Sequence, residues 1–162
     1  MDLETRLCIA DLLWRIDTCI FIVNNLEKIN YIEYPFDIKD AVFESLVVKM
    51  YSIFNSSQNG EISIKNLKVQ YQELSFLLDQ NEIIIQRINN NRNQKIAHTQ
   101  KNGNLSVSEE KLKFFREIGF QSVVVKNIEE KNTYLLYSDY PKNIFLKLLI
   151  ETQKILKNKI RV

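Results

Sequence analysis

The stretch DLETRLCIADLLWRIDTCIFIVNNLEKINYI, residues 2 to 32, decides the fold class. Ile9, Leu13, Ile16, Ile20, Val23 and Leu26 recur at steps of three and four residues, the period of one face of an α-helix rather than the alternation of a strand. Tyr34-Pro35 closes the pattern, because proline disfavours helical backbone in the residue before it. The spacing therefore predicts a first helix from Asp2 to about Ile32. Asp37 then suits the N-cap of a second helix through Val42, Leu46, Lys49 and Ile53, which ends at SSQNG, residues 56 to 60. Ser63 suits the cap of a third, with Leu67, Tyr71, Leu74 and Leu78 on one stripe.

Asp79 and Glu82 have the spacing of a capping box, so Ile84, Ile85, Ile88 and Ile96 belong to a fourth helix from about Gln80 to Thr99. Ser106 or Ser108 can open a short fifth helix that ends near Gly119. Residues 121–138, within QSVVVKNIEEKNTYLLYSDY, suit a short β-ribbon and a short helix plus loop alike. Asp139, with Pro141 close behind, opens a last helix carrying Phe145, Leu148, Leu149, Thr152, Leu156 and Ile160. Three glycines and two prolines in 162 residues leave few breaks for a many-stranded sheet. The expectation is an all-α fold: a helical bundle of about five or six helices, as a single domain over residues 1–162.

Composition narrows the function classes. The net charge is only +2, yet residues 83–108 hold no acid and four cations, Arg87, Arg92, Lys95 and Lys101, which leaves the rest of the chain at −2. A local basic window is what an anionic partner would meet. Cys8 and Cys19 lie eleven positions apart on one predicted helix, roughly 16 Å along its axis, too far for a disulfide or a shared metal ion. They read as two small apolar residues in a reducing compartment. Acids and bases interrupt the first residues, and no run reaches the length of a bilayer span, so no signal peptide and no membrane partner are expected, and the location expected is cytoplasmic. Trp14 and the tyrosines are expected to fill core or interface positions.

The basic window contains the only histidine of the chain, in NRNQKIAHTQ, residues 91–100. Arg92 and His98 are separated by five residues, Asn93 follows the arginine, and Ile96-Ala97 precedes the histidine. The string RNQKIAH resembles the Arg, four-to-six residues, His motif of the HEPN superfamily, helical domains named for higher eukaryote and prokaryote nucleotide binding. It is most similar to the abortive-infection HEPN proteins, with a turn like SSQNGEISIKNL ahead of the motif helix. The chain departs from many relatives after the histidine, where Thr99-Gln100-Lys101 stands in place of an acid.

The resemblance implies a HEPN-like bundle acting as a metal-independent endoribonuclease of toxin or abortive-infection type. It implies no metal and no cofactor, RNA as substrate, a homodimer, and a cognate antitoxin protein as a further partner. His98 is the one side chain that titrates near neutrality and can move the proton of an attacking 2′-hydroxyl. Arg92 supplies a permanent forked charge for the phosphate oxygens as they become more negative. Asn93 would orient the histidine or a phosphate, and Lys95, Arg87 and Lys101 would hold the RNA backbone. Asn89, Asn90 and Asn91 carry no assigned role. Six residues along one helix place Arg92 and His98 about 120° apart and about 9 Å along the axis, which positions the pair poorly within one helix; the resemblance implies a site shared by the two motifs of a homodimer. The alternatives are a non-catalytic HEPN module that binds RNA, nucleotide or protein, and a helical oligomerisation or antitoxin-like protein.

Overall fold

Asp2 starts the first helix. Its Oδ1 accepts the Thr5 backbone N–H at 2.7 Å and its Oδ2 accepts the Thr5 hydroxyl at 3.0 Å, which satisfies a donor that the first helical turn leaves open. The same bonds, the backbone one foremost, hold the Asp2 carboxyl below its ordinary range. The computed structural model describes residues 1–26, 28, 36–55, 62–98, 113–114, 117–119, 123–128, 131–136 and 143–160. In it this first helix, α1, spans Leu3–Asn24.

The run expected to reach Ile32 is interrupted at Asn25; Leu26 and Lys28 are helical again, and 29–32 lie outside the described residues. Asn25 (φ −107°) closes α1 and donates its Nδ2 to the Phe21 carbonyl at 2.8 Å. An asparagine amide competes with the backbone for helical carbonyls, and Leu26, still buried, keeps the apolar spacing going beyond the break. Tyr34-Pro35 lies outside the described residues. The second helix, α2, spans Phe36–Phe54, so Asp37 falls inside its first turn instead of capping it. An acid there still lies at the positive end of the helix dipole.

The third expected helix is two. A single turn, α3, covers Ile64–Leu67 with Ser63 at its N-cap, and α4 covers Gln72–Gln80. Tyr71 between them is extended (φ −131°, ψ 106°), and its carbonyl takes the Leu74 N–H to open α4. Leu67, Leu74 and Leu78 are nevertheless all buried, so the stripe survives a backbone that bends between its members. Asn81, not the Asp79–Glu82 pair, makes the next junction: it caps the end of α4, donates to the Leu77 carbonyl at 2.9 Å, and accepts the Ile85 N–H at 3.0 Å. The motif helix, α5, then spans Glu82–His98.

Lys113, Phe114, Glu117 and Ile118 are helical, and Gly119 ends that turn at φ +114°. This left-handed backbone suits glycine. Ser106 and Ser108 lie outside the described residues. Of the two readings of 121–138 the ribbon holds: β1 (Val123–Ile128) and β2 (Lys131–Leu136) pair antiparallel, with Val123 opposite Leu136 and Ile128 opposite Lys131. The last helix, α6, spans Ile144–Ile160. Its cap is Asn143 instead of Asp139, which lies outside the described residues. Asn143 Oδ1 accepts the Leu146 N–H at 3.0 Å, while its Nδ2 donates to the Ile118 carbonyl. One side chain thus caps α6 and ties it to the turn before Gly119.

α1 packs on α6 and on α2, α2 on α5, and α4 on both α5 and α6, so five helices close a ring around one core. Phe114 sits in that core, edge-on to Phe43 of α2 at 5.9 Å and to Phe145 of α6 at 4.7 Å. The inward face of α1 is Ile9, Leu12, Ile16, Cys19 and Val23. Its outward face carries Leu3, Leu7, Trp14 and Phe21, which are 62 to 73% exposed. Both cysteines are free, and burial pushes the Cys19 thiol up to about 12. Among the described residues no helix is long and apolar enough to cross a membrane.

Candidate active site

α5 is anchored by Ile85 and Ile88, which enter the core, and by Asn55 at the end of α2, whose Nδ2 donates to the Ile85 carbonyl at 3.1 Å. One turn further on, Asn91 is also inward. Its Nδ2 donates to the Arg87 carbonyl at 2.9 Å, and its buried Oδ1 has no hydrogen-bond partner among the described residues. Arg92 follows immediately and leaves the helix on the flank that faces α2.

There the Arg92 guanidinium carbon lies 4.7 Å from the centre of the Tyr51 ring, a cation over an aromatic face. Arg92 Nη1 donates to Asn93 Oδ1 at 3.0 Å, and Asn93 Nδ2 donates to Asn89 Oδ1 at 3.2 Å. A half-buried tyrosine from α2 and the exposed Asn93 amide of α5 therefore contact one guanidinium, with Asn89 bonded to Asn93 one turn back. No described carboxylate pairs with it, so among the described residues its charge is not neutralised by an ion pair.

The other expected residues divide three ways. Lys95 and His98 lie on the last turns of α5, with His98 as its final residue, so Arg92 and His98 share one helix and keep the separation of about 120° and about 9 Å set by helical geometry. Lys101 falls outside the described residues. Arg87 is committed elsewhere: it forms an ion pair with Glu117, its guanidinium lies 5.6 Å from the Phe114 ring, and its side chain is 21% exposed. That arginine joins α5 to the segment before Gly119, and its charge is matched within the fold. Among the described residues no three metal-ligating side chains converge.

Two residues of this arrangement have no counterpart in the sequence reading. Tyr51 comes from another helix, and nothing local marks a tyrosine of α2 as the platform for an arginine 41 positions away. Asn89 was legible, because it stands four residues before Asn93 on the same helix face; an asparagine run read as composition alone conceals that spacing. Comparison with protein-family models, with curated proteins and with solved structures finds no match for this chain.

Proposed function

We propose that the chain is a HEPN-type, metal-independent endoribonuclease of toxin or abortive-infection kind, whose active site is shared by two copies. The observation that carries this reading is the Arg92 guanidinium, half-exposed and free of any described carboxylate, on the helix that ends at His98. A phosphodiester beside Arg92 would place its non-bridging oxygens against a forked cation. The imidazole of His98 in one copy takes the proton of the RNA 2′-hydroxyl as that oxygen attacks phosphorus. The imidazole of the second copy returns a proton to the leaving 5′-oxygen, and the products are a 2′,3′-cyclic phosphate and a 5′-hydroxyl. Lys95 and Lys101 add charge for the RNA backbone, and a cognate antitoxin would be the natural restraint on such an activity.

The exposed face of α1 supports the two-copy arrangement. Leu7, Trp14 and Phe21 stand at intervals of seven residues, and Leu3 extends the row. On the neighbouring helix Ala41, Ser45 and Val48 are exposed and small. Lys49 Nζ lies 5.5 Å from the Trp14 ring on one side of Val48, and Tyr51 meets Arg92 on its other side, so this apolar surface borders the candidate site. Leu3, Leu7, Trp14, Phe21 and Val48 leave on the order of 700 Å² exposed, close to the ~800 Å² that each partner gives to a stable interface. A row symmetric about Trp14 suits a two-fold axis.

Expression of the wild type, Arg92→Ala and His98→Ala tests the reading through growth and RNA integrity. The wild type is expected to fragment RNA and arrest growth, and each variant to lose at least about a hundred-fold in cleavage rate. Intact RNA with the wild type rules out the enzyme, and binding without cutting leaves a non-catalytic module. Equal toxicity of His98→Ala rules out the mechanism.

A further inference from the structure

We infer that Tyr51 and Asn89 are positioning residues for Arg92: the ring seats the guanidinium over its π face, and the amide of Asn89 sets the orientation of Asn93, which holds one N–H of the guanidinium. The inference rests on the ribonuclease reading and extends it to two residues that do not touch the substrate.

A guanidinium is flat, with its donors directed outward in one plane. The guanidinium carbon lies over the Tyr51 ring, 4.7 Å from its centre, a contact with the π face that does not depend on a hydrogen bond. Asn93 Oδ1 takes one of the donors, from Nη1, at 3.0 Å. The remaining N–H groups stay in the plane for phosphate oxygens. A long arginine side chain free in solvent samples many rotamers, and fixing it before the substrate arrives removes that ordering from the reaction. The direction of the Asn93 amide matters because its two ends differ: the oxygen attracts the guanidinium and the NH2 group repels it. Asn89 Oδ1 accepts Asn93 Nδ2 at 3.2 Å, so the NH2 end is engaged one turn back and the oxygen is left facing Arg92. Removing Asn89 releases the amide to rotate. Removing the Tyr51 ring releases the guanidinium from its platform.

The experiment measures steady-state cleavage of a single-stranded RNA oligonucleotide by the wild type, Tyr51→Leu, Tyr51→Phe, Asn89→Ala, Arg92→Ala and the Tyr51→Leu/Arg92→Ala double variant, with thermal melts of each. Tyr51→Leu is expected to lower kcat about ten-fold, with KM within about two-fold, because the loss falls on the transition state. Tyr51→Phe keeps the ring face and is expected to stay within about two-fold of wild type. Asn89→Ala is expected to lose about three- to five-fold in kcat. In the Arg92→Ala background Tyr51→Leu should cost nothing more, since the residue through which it acts is gone. Should half-buried Tyr51→Leu fail to fold, Asn89→Ala and Tyr51→Phe decide the matter, as Asn89 is partly exposed. An active wild type with Asn89→Ala and Tyr51→Leu at full rate overturns the inference alone, as does an equal Tyr51→Leu loss with and without Arg92. A wild type that cuts no RNA removes the ribonuclease reading and this inference together.

Discussion

Arg87 of α5 and Glu117 of the turn before Gly119 form an ion pair, with both side chains about one-fifth exposed, 21% and 19%, and the arginine stacks towards Phe114. A cation that a reading of charge alone assigns to RNA is thereby part of the internal architecture. Arg87→Ala is expected to destabilise the fold by about 1–3 kcal/mol, since it strips the partner from a half-buried carboxylate. It should leave both the affinity for an RNA oligonucleotide and the salt slope of binding close to wild type. Urea denaturation and fluorescence anisotropy over a salt series read the two effects separately; a reduced slope with unchanged stability would return Arg87 to the RNA-binding set.

The row on α1 leads to a second expectation. Trp14 is 63% exposed and outside the core, so Trp14→Glu should leave the unfolding midpoint of the monomer, measured at high dilution, almost unchanged. Placed at the centre of an apolar interface, the same carboxylate would meet its own copy across the two-fold and be desolvated. Sedimentation should then show a dimer for the wild type and a monomer for Trp14→Glu, and cleavage should fall with the dimer fraction. A wild type that is monomeric at tens of micromolar removes the shared site.

Phe114 stands edge-on to Phe43 and Phe145 and is fully buried. It joins the segment between the motif helix and the ribbon to α2 and α6. Phe114→Ala is expected to cost about 3–5 kcal/mol, the range for emptying an aromatic site in a packed core. Thermal denaturation measures it; a loss under about 1 kcal/mol would mean that this segment does not close the bundle.

Cys19 sets a dependence on alkaline pH. Burial raises its thiol from 9.0 to about 12, with Lys49 opposing the shift. In the unfolded chain the thiol ionises near its ordinary value, whereas in the folded chain it keeps its proton until about 12, so between these values the folded state binds more protons. Stability is therefore expected to fall as pH rises through that window, by up to about 1.4 kcal/mol per pH unit from this group, and to be unaffected by it below pH 9. Urea titrations of the wild type and Cys19→Ala at several pH values from 8 upward isolate the effect. Parallel curves for the two proteins would show that the thiol is not protected.

Helix positions and part of the inward faces, Ile9, Ile16 and Val23 of α1, Leu46 and Ile53 of α2, Ile85 and Ile88 of α5, and Phe145, Leu148, Leu149, Thr152 and Leu156 of α6, follow from local rules, because apolar spacing, a capping aspartate at residue 2 and a scarcity of glycine and proline act within a few residues of chain. Ile160, by contrast, is exposed, and Leu12, Cys19, Phe43, Val47, Met50 and Phe54 join the core unannounced. The helix that carries Arg92, Asn93 and His98 was legible from the same local rules: the three fall on one predicted helix, and the structure keeps them on one helix. The ends of the elements were less legible. Asn25 interrupts the first helix, Asn81 makes the junction where Asp79 was expected, and Asn143 caps α6, since an asparagine amide competes for backbone groups and the surrounding packing selects which of several eligible polar residues does so. What only the tertiary structure decided is how the cations are used. Arg87 and Arg92 stand five residues apart on one helix, yet one turns to Glu117 and Phe114 and the other lies over Tyr51, because those partners arrive from segments distant in the chain. A side chain's charge is a local property, but whether it is neutralised, stacked or left for a ligand depends on what the fold brings within a few ångströms of it.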